Sequence, residues 1–339
     1  MSAKAATASV ASITSPAIAF TRDTGKIVPF VANNKSTQEL DRGMVLRELY
    51  LRLTGQITAT AANNIAANMF PGDEWALVND ITLRTNGRDV MKRISGRALR
   101  WLQYYLYGTY PLKALNQLGN GVTANPSFDS TLIIPLWMPK SVSPMNFALD
   151  TRTLSRLDLE ITWNNYQQVN STATSFITNP QIQVYVNEVT NVQGKFSKWN
   201  LFPITSVIAA ATQKYQVKIP VGYMYRSFMI HDESAIISSM YIRSGPTEWA
   251  NIPVQLIQTI LENDRRASSS IMVTGANNNW LCGATGDDLE HFMYFDQVSD
   301  GHNSESFDTF GLSEFYLEFD TTGAGTVVVY PNQLVVARG

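Results

Sequence analysis

The second half of this chain repeats the plan of its first half, and that repeat limits the possible folds more than any other feature. Ile81-Thr-Leu-Arg-Thr-Asn-Gly87 is echoed by Met240-Tyr-Ile-Arg-Ser-Gly245, with Met240 lying 159 residues beyond Ile81. The alternating stretch Leu154-Ser-Arg-Leu-Asp-Leu-Glu-Ile161 returns, 158 residues on, as Leu312-Ser-Glu-Phe-Tyr-Leu-Glu-Phe319. Between these landmarks each half carries a helical pattern, over 96–107 and over 253–264, and each half closes on a last strand, 181–189 and 326–336. A period this long means duplicated domains, because solenoid units run only to about 50 residues. The 339 residues leave about 150 for each copy, an ordinary domain size.

The local patterns are those of β-structure. From Leu46 the period is two: Leu49, Leu51, Leu53 and Ile57 point one way, and Tyr50, Arg52, Thr54 and Gln56 the other, as in a half-buried strand. Further strands are expected at 75–78, 80–84, 90–94, 132–138 and 154–163. The second half should supply 214–219, 223–230, 236–243 and 291–295. Asn86-Gly87 suits the positive φ angles of a tight hairpin. Ser95 is placed to cap the first helix and Gly108 to end it, while Asn251-Ile-Pro253 would open the second, with proline in the first turn. Short strands broken by turn signals, with one helix per half, predict an all-β antiparallel sandwich or barrel in duplicate. Residues 1–37 are rich in Ala, Ser and Thr and have no sustained period. They are read as an N-terminal arm whose Ile18, Phe20, Ile27, Val28, Phe30 and Val31 dock on a neighbouring surface. The domains are then 38–192 and 193–339, linked through 192–199.

Charged residues make up only 16% of the chain, against about 25% in ordinary soluble proteins, which suggests surfaces covered by other copies. Residues 267–337 contain no Lys or Arg but ten carboxylates, Asp287, Asp288, Glu290, Asp296, Asp300, Glu305, Asp308, Glu314, Glu318 and Asp320. The first half is basic around its helix, through Arg84, Arg88, Lys92, Arg93, Arg97, Arg100 and Lys113. One reading is two solvated faces; the other sets the basic half of one subunit against the acidic half of its neighbour, fixing register. Cys282 is the single cysteine, so no intrachain disulfide can form. Residues 1–20 make a poor signal peptide, and no apolar run reaches the 18 or so residues of a membrane-spanning helix. A reducing compartment is expected.

No catalytic, cofactor-binding or metal site is read from the sequence. His231, His291 and His302 stand at no ligand spacing, which disfavours a metal-dependent tandem cupin. Asp296, Asp300 and Glu305 superficially resemble a calcium loop without its alternating ligands, leaving an acidic 287–308 segment as solvated or partner-facing. Adjacent carboxylates such as Asp287 and Asp288 usually point apart, and without a pocket nothing in the sequence marks them as catalytic. Cys282 lacks a nucleophile signature. The Arg84–Lys113 cations interleave with Trp101, Tyr104, Tyr105 and Tyr107, a combination able to hold phosphate and stack bases. Those aromatics sit on an amphipathic helix and the net charge is −2, so direct nucleic-acid binding is disfavoured.

The duplicated plan, the paired strands Leu154–Ile161 and Leu312–Phe319, a helix in each half, a leading arm and no catalytic motif together resemble the major capsid proteins of the double jelly-roll virus lineage. That lineage includes adenoviruses and tailless, lipid-containing bacteriophages. The resemblance spans about 40–339 and rests on architecture rather than on an invariant signature. It implies two tandem eight-stranded jelly-roll barrels, a homotrimer acting as a pseudo-hexameric capsomer of an icosahedral shell, and lateral capsomer contacts. It also implies minor capsid or vertex proteins as partners, an internal membrane within reach of residues 1–37, and assembly in the host cytoplasm into a virion. The compact loops are closer to the phage members. Competing readings are a secreted tandem jelly-roll carbohydrate-binding protein or glycan amidase, and a minor virion vertex or spike protein. Against a sugar groove, the tryptophans are scattered one per segment, as core residues are.

Overall fold

The computed structural model describes residues 18–58, 73–107, 127–169, 173–192, 194–257, 292–298 and 301–335. The first half supplies β1 (Ala19–Pro29), β2 (Lys35–Glu39), β3 (Val45–Thr58), β4 (Val78–Thr85), β5 (Asp89–Ile94), α1 (Gly96–Tyr107), β6 (Ser127–Pro135), β7 (Leu149–Asp150), β8 (Leu157–Trp163) and β9 (Ser175–Val189). After β10 (Lys198–Leu201) come β11 (Ile204–Ile208), β12 (Thr212–Lys218), β13 (Met224–Asp232), β14 (Ile237–Ser244) and β15 (Thr247–Pro253). The chain closes with β16 (Phe292–Asp296), β17 (Phe307–Asp308), β18 (Tyr316–Thr321) and β19 (Gly325–Val335).

The duplication holds strand for strand. In the first half the sheets run β1-β9-β3-β6, with β7 on β3, and β2-β8-β4-β5. The second half runs β11-β19-β13-β16, with β17 on β13, and β12-β18-β14-β15. Register is copied too: Leu83 opposes Lys92 as Ile242 opposes Ala250, and Ile81 opposes Ile161 as Met240 opposes Phe319. More than shape is duplicated. Arg84 pairs with Glu160 at 3.3 Å, and the equivalent Arg243 pairs with Glu318 at 3.2 Å. One cross-strand ion pair was therefore copied with the fold.

Four expected elements change. Trp75 lies in a 3-10 helix, Asp73–Leu77, rather than in a strand; its indole donates to Ser130 Oγ at 2.8 Å, and that buried anchor outweighs local β-propensity. The second helix does not open at Asn251: Thr247–Pro253 is a strand on β14, and residues 254–257 begin the helix. Pro253 costs little at the end of an edge strand, where no ladder donor is required. The rest of that helix, like Gly108 and Lys113, lies outside the described residues. Third, half of the expected arm belongs to the first barrel. Ala19–Pro29 pairs along its length with β9, and Arg22 grips the buried Glu188 carboxylate through Nε (2.9 Å) and Nη2 (2.6 Å). Residues 1–17 lie outside the described part. Fourth, the strand expected to close the first half at 181–189 begins earlier, at Ser175.

Burial explains the difference between the two β3-type strands. In β3, Leu49, Leu51, Leu53 and Ile57 are buried while Tyr50, Arg52, Thr54 and Gln56 are half-exposed, the alternation of a sheet with one wet face. In β13 and β19 burial is continuous. Phe228, Ile230, Val327 and Val329 line the second barrel; Met229, Val328, Tyr330 and Leu334 join the core of the first. The second barrel's sheet is thus covered on both faces, one by its own partner sheet and one by the first barrel.

Candidate assembly surfaces

Two contacts fix the barrels to each other. In the first, β10 lies between them: Lys198–Leu201 runs antiparallel to Val335–Asn332 of β19, and Leu201 pairs in parallel with Lys92 of β5. Trp199, fully buried, donates from Nε1 to Asn332 Oδ1 at 3.1 Å. The Lys92 ammonium nitrogen stands 3.3 Å from the centre of the Trp199 ring, fully enclosed and with no hydrogen-bond partner. Burial holds the Lys92 amine well below its ordinary pKa. Helix α1 packs on β16 of the second barrel, capped by Ser95 Oγ accepting from Ala98 N at 3.2 Å. Its Trp101 stacks on Phe292 (5.4 Å), Tyr105 stacks on Tyr294 (4.9 Å), and Tyr105 OH donates to the Phe292 carbonyl at 2.9 Å.

The second contact joins the turn after β6 to the turn after β16. Val142 N donates to Gly301 O at 3.0 Å, and the buried Arg226 donates from Nη2 to the Lys140 carbonyl at 3.2 Å. Gly301 has φ +86°, and a Cβ there would stand 2.7 Å from the Lys140 carbonyl oxygen. Gly301→Val is expected to lower the unfolding free energy by about 2–4 kcal/mol through backbone strain and overpacking, read as a lower urea midpoint.

These contacts account for the residues marked in the sequence. Trp101, Tyr104 and Tyr105 are in the core, and Tyr107 is tied by its hydroxyl to Glu48 Oε1 at 2.7 Å, so the helix offers no exposed stacking face. The cations expected as one basic face are divided: Lys92 lies under Trp199 and Arg84 on Glu160, while Arg93, on Asp80 at 3.2 Å, stays with Arg97 and Arg100 on one cleft. In the acidic half, Asp296 accepts from Arg226 at 3.5 Å and Glu318 from Arg243, so much of the complementarity read between subunits is met within each barrel. Asp296 also accepts from Val298 N at 3.1 Å; Asp287, Asp288, Glu290, Asp300, Cys282 and His291 lie outside the described residues. His231 is stacked flat on Phe292, 4.1 Å away. Among the described residues no three His, Cys, Asp or Glu side chains converge. Trp75, Trp101, Trp163 and Trp199 are fully buried, and Trp249 is exposed on β15.

A cleft of about 640 Å³ lies along the junction, between the first barrel's Asp80, Arg93, Arg97 and Arg100 and the second barrel's His231 and Glu233. Both signs of charge line it. No sequence pattern marks the junction, because its partners come from distant segments, as Lys92 and Trp199 do. Beyond the junction, β1 and β15 each pair on one side only among the described strands. Both carry exposed aromatics, Phe20 at 40% and Trp249 at 39% exposure.

No family model and no curated protein matches this sequence. Solved structures do. The major capsid protein P2 of bacteriophage PM2 superposes with a TM-score of 0.62 at 13% identity, covering 95% of this chain and 98% of that one. The STIV MCP gives a TM-score of 0.70 at 9% identity, over 94% of this chain and 97% of its own. PBCV-1 VP54 gives 0.59 at 10% identity, with 95% of each chain covered. Strand order, the duplicated register and these end-to-end superpositions agree: the chain has the double jelly-roll fold of these viral capsid proteins.

Proposed function

We propose that this chain is a major capsid protein that assembles with copies of itself into the shell of a virion. The observation that carries this reading is the full-length correspondence, over nine-tenths or more of both chains, with capsid proteins of a bacteriophage and other viruses. The junction supports it as well. Two barrels locked at two separated contacts make a rigid block with similar sides, which suits a lattice better than a site that must open. Three such blocks present six similar barrels, so a homotrimer fits a six-fold lattice position. The buried aromatics of α1 and the scattered core tryptophans favour a non-enzymatic protein over a sugar-binding one.

On this reading residues 1–17, rather than 1–37, form the arm that reaches a neighbouring capsomer or a membrane beneath the shell, and β1 belongs to the barrel. Vertex proteins and assembly in the host cytoplasm belong to the same proposal. The test is negative-stain microscopy of purified protein at rising concentration, where six-lobed particles or hexagonal sheets are expected. A chain that stays monomeric and binds or cleaves glycans would overturn the reading. Deleting residues 2–17 should leave these particles intact while closed shells fail to form; normal shells would remove the arm from the proposal.

A further inference from the structure

The second contact between the barrels brings together three buried polar atoms, Arg226 Nη1, Asn303 Oδ1 and Ser306 Oγ, that find no hydrogen-bond partner among the described residues. Register explains the first meeting. Tyr225 of β13 opposes Phe307 of β17, and both rings enter the core of the second barrel. One step further along the antiparallel pair, Arg226 falls opposite Ser306, and alternation turns both away from that core. The register of β13 on β19 also shifts between Tyr225 and Phe228, an irregularity of the kind that re-aims a side chain.

The side that Arg226 and Ser306 face is the turn after β6 of the first barrel. Arg226 Nη2 donates to the Lys140 carbonyl at 3.2 Å, and Asn303 Nδ2 donates to Ser141 Oγ at 3.1 Å. Lys140 and Ser141 are consecutive, so the Arg226 and Asn303 side chains are held next to each other. Ser306 N donates to the Asn303 carbonyl at 3.2 Å, which keeps the serine with them. Arg226 is 1% exposed and Ser306 7%, so bulk solvent does not satisfy either.

We infer that an ordered water molecule sits here, beneath the Lys140–Ser141 turn, bonded to Arg226 Nη1, Asn303 Oδ1 and Ser306 Oγ. Three partners is about the usual number for a buried water. The mixture of groups selects water over an ion. Arg226 Nη1 only donates, Asn303 Oδ1 only accepts, and the Ser306 hydroxyl does either. A chloride would face the Asn303 oxygen, and a metal cation would face the guanidinium. Nor is a counter-ion needed, because Asp296 Oδ1 lies 3.5 Å from Arg226 Nε. The two inter-barrel contacts then differ in kind: aromatic rings close the one at Trp199, and water completes the one at Lys140.

Ser306→Ala in the full-length chain separates a wet contact from a dry one by the sign of its effect. In a dry contact the substitution deletes a buried, unsatisfied hydroxyl and raises the urea midpoint. With water present it removes one of that water's partners, so the midpoint should fall, with the folded-to-unfolded ratio dropping about 2- to 10-fold. A crystal structure of the full-length protein gives the second readout. Density for one water is expected about 2.7–3.2 Å from all three atoms, weakened in Ser306→Ala. A raised or unchanged midpoint would overturn the inference, as would Arg226 Nη1 bonded directly to Asn303 or Ser306 with no density between them. Neither result bears on self-assembly.

Discussion

Lys92→Met is expected to stabilise the unassembled chain by about 1–3 kcal/mol, the usual cost of a buried polar group without a hydrogen-bond partner. Methionine keeps the length of the side chain and its contact with the Trp199 ring while removing the orphaned amine. The sign can be checked against pH. The folded protein holds the Lys92 amine well below the ordinary lysine value of 10.5, so the unfolded chain binds the extra proton. Lysine therefore penalises folding at neutral pH, and the penalty shrinks as pH rises toward that unfolded value. The difference between the two proteins should be larger at pH 7 than near pH 10.5, measured by urea unfolding. A less stable variant, or a difference independent of pH, would mean that the cation on Trp199 outweighs desolvation.

Glu48→Ala should have the opposite and larger effect. The carboxylate of this buried residue accepts from Tyr50 OH at 2.6 Å, Tyr107 OH at 2.7 Å and Trp137 Nε1 at 3.0 Å. Removing it strands three donors where β3, α1 and the segment after β6 meet, with an expected loss of about 3–5 kcal/mol. Burial, then the Glu48 hydrogen bond, pushes the Tyr50 phenol up to about 12. A folded value raised above the unfolded 10.0 stabilises fully below pH 10 and loses that contribution between about pH 10 and 12. Glu48→Gln keeps an acceptor and should retain part of the stability. Its Tyr50 should titrate lower in ultraviolet absorbance, because the negative neighbour is gone. An unchanged Tyr50 titration in Glu48→Gln would show that burial alone sets it.

What the sequence made legible was whatever local chemistry determines. Ile81–Arg84 and Met240–Arg243 read as strands because an aliphatic or Met residue recurs at every second position in both, and both are strands. Asn86 and Gly87 take the positive φ values, +52° and +70°, that their types suggest. Helix α1 matched its expected span because Ser95 caps a run of large apolar residues. The failures lie where tertiary contacts decide. Lys198-Trp-Asn-Leu201 alternates over only four residues, too few to mark a strand, and becomes one because β19 and β5 flank it. Ala19–Pro29 mixes polar and apolar residues without a sustained period, and so resembles a loose arm until β9 supplies its ladder. The cations near Arg84 looked like one face because their carboxylate partners, such as Glu160, arrive from distant strands.

Strand β10 also sets an order of events during synthesis. The first barrel's last strand ends at Val189, but its β5 edge stays uncovered until Leu201 has left the ribosome. At about 5–20 residues per second, the roughly 110 residues between Lys92 and Leu201 leave that edge open for about 5–20 s. A solvated, charged lysine on an open edge discourages pairing with other nascent chains. Lys92 thus guards the strand while the chain is unfinished and becomes a cost only once β10 and Trp199 close over it. The methionine variant should accordingly yield less soluble protein in the cell while the purified fraction unfolds at higher urea.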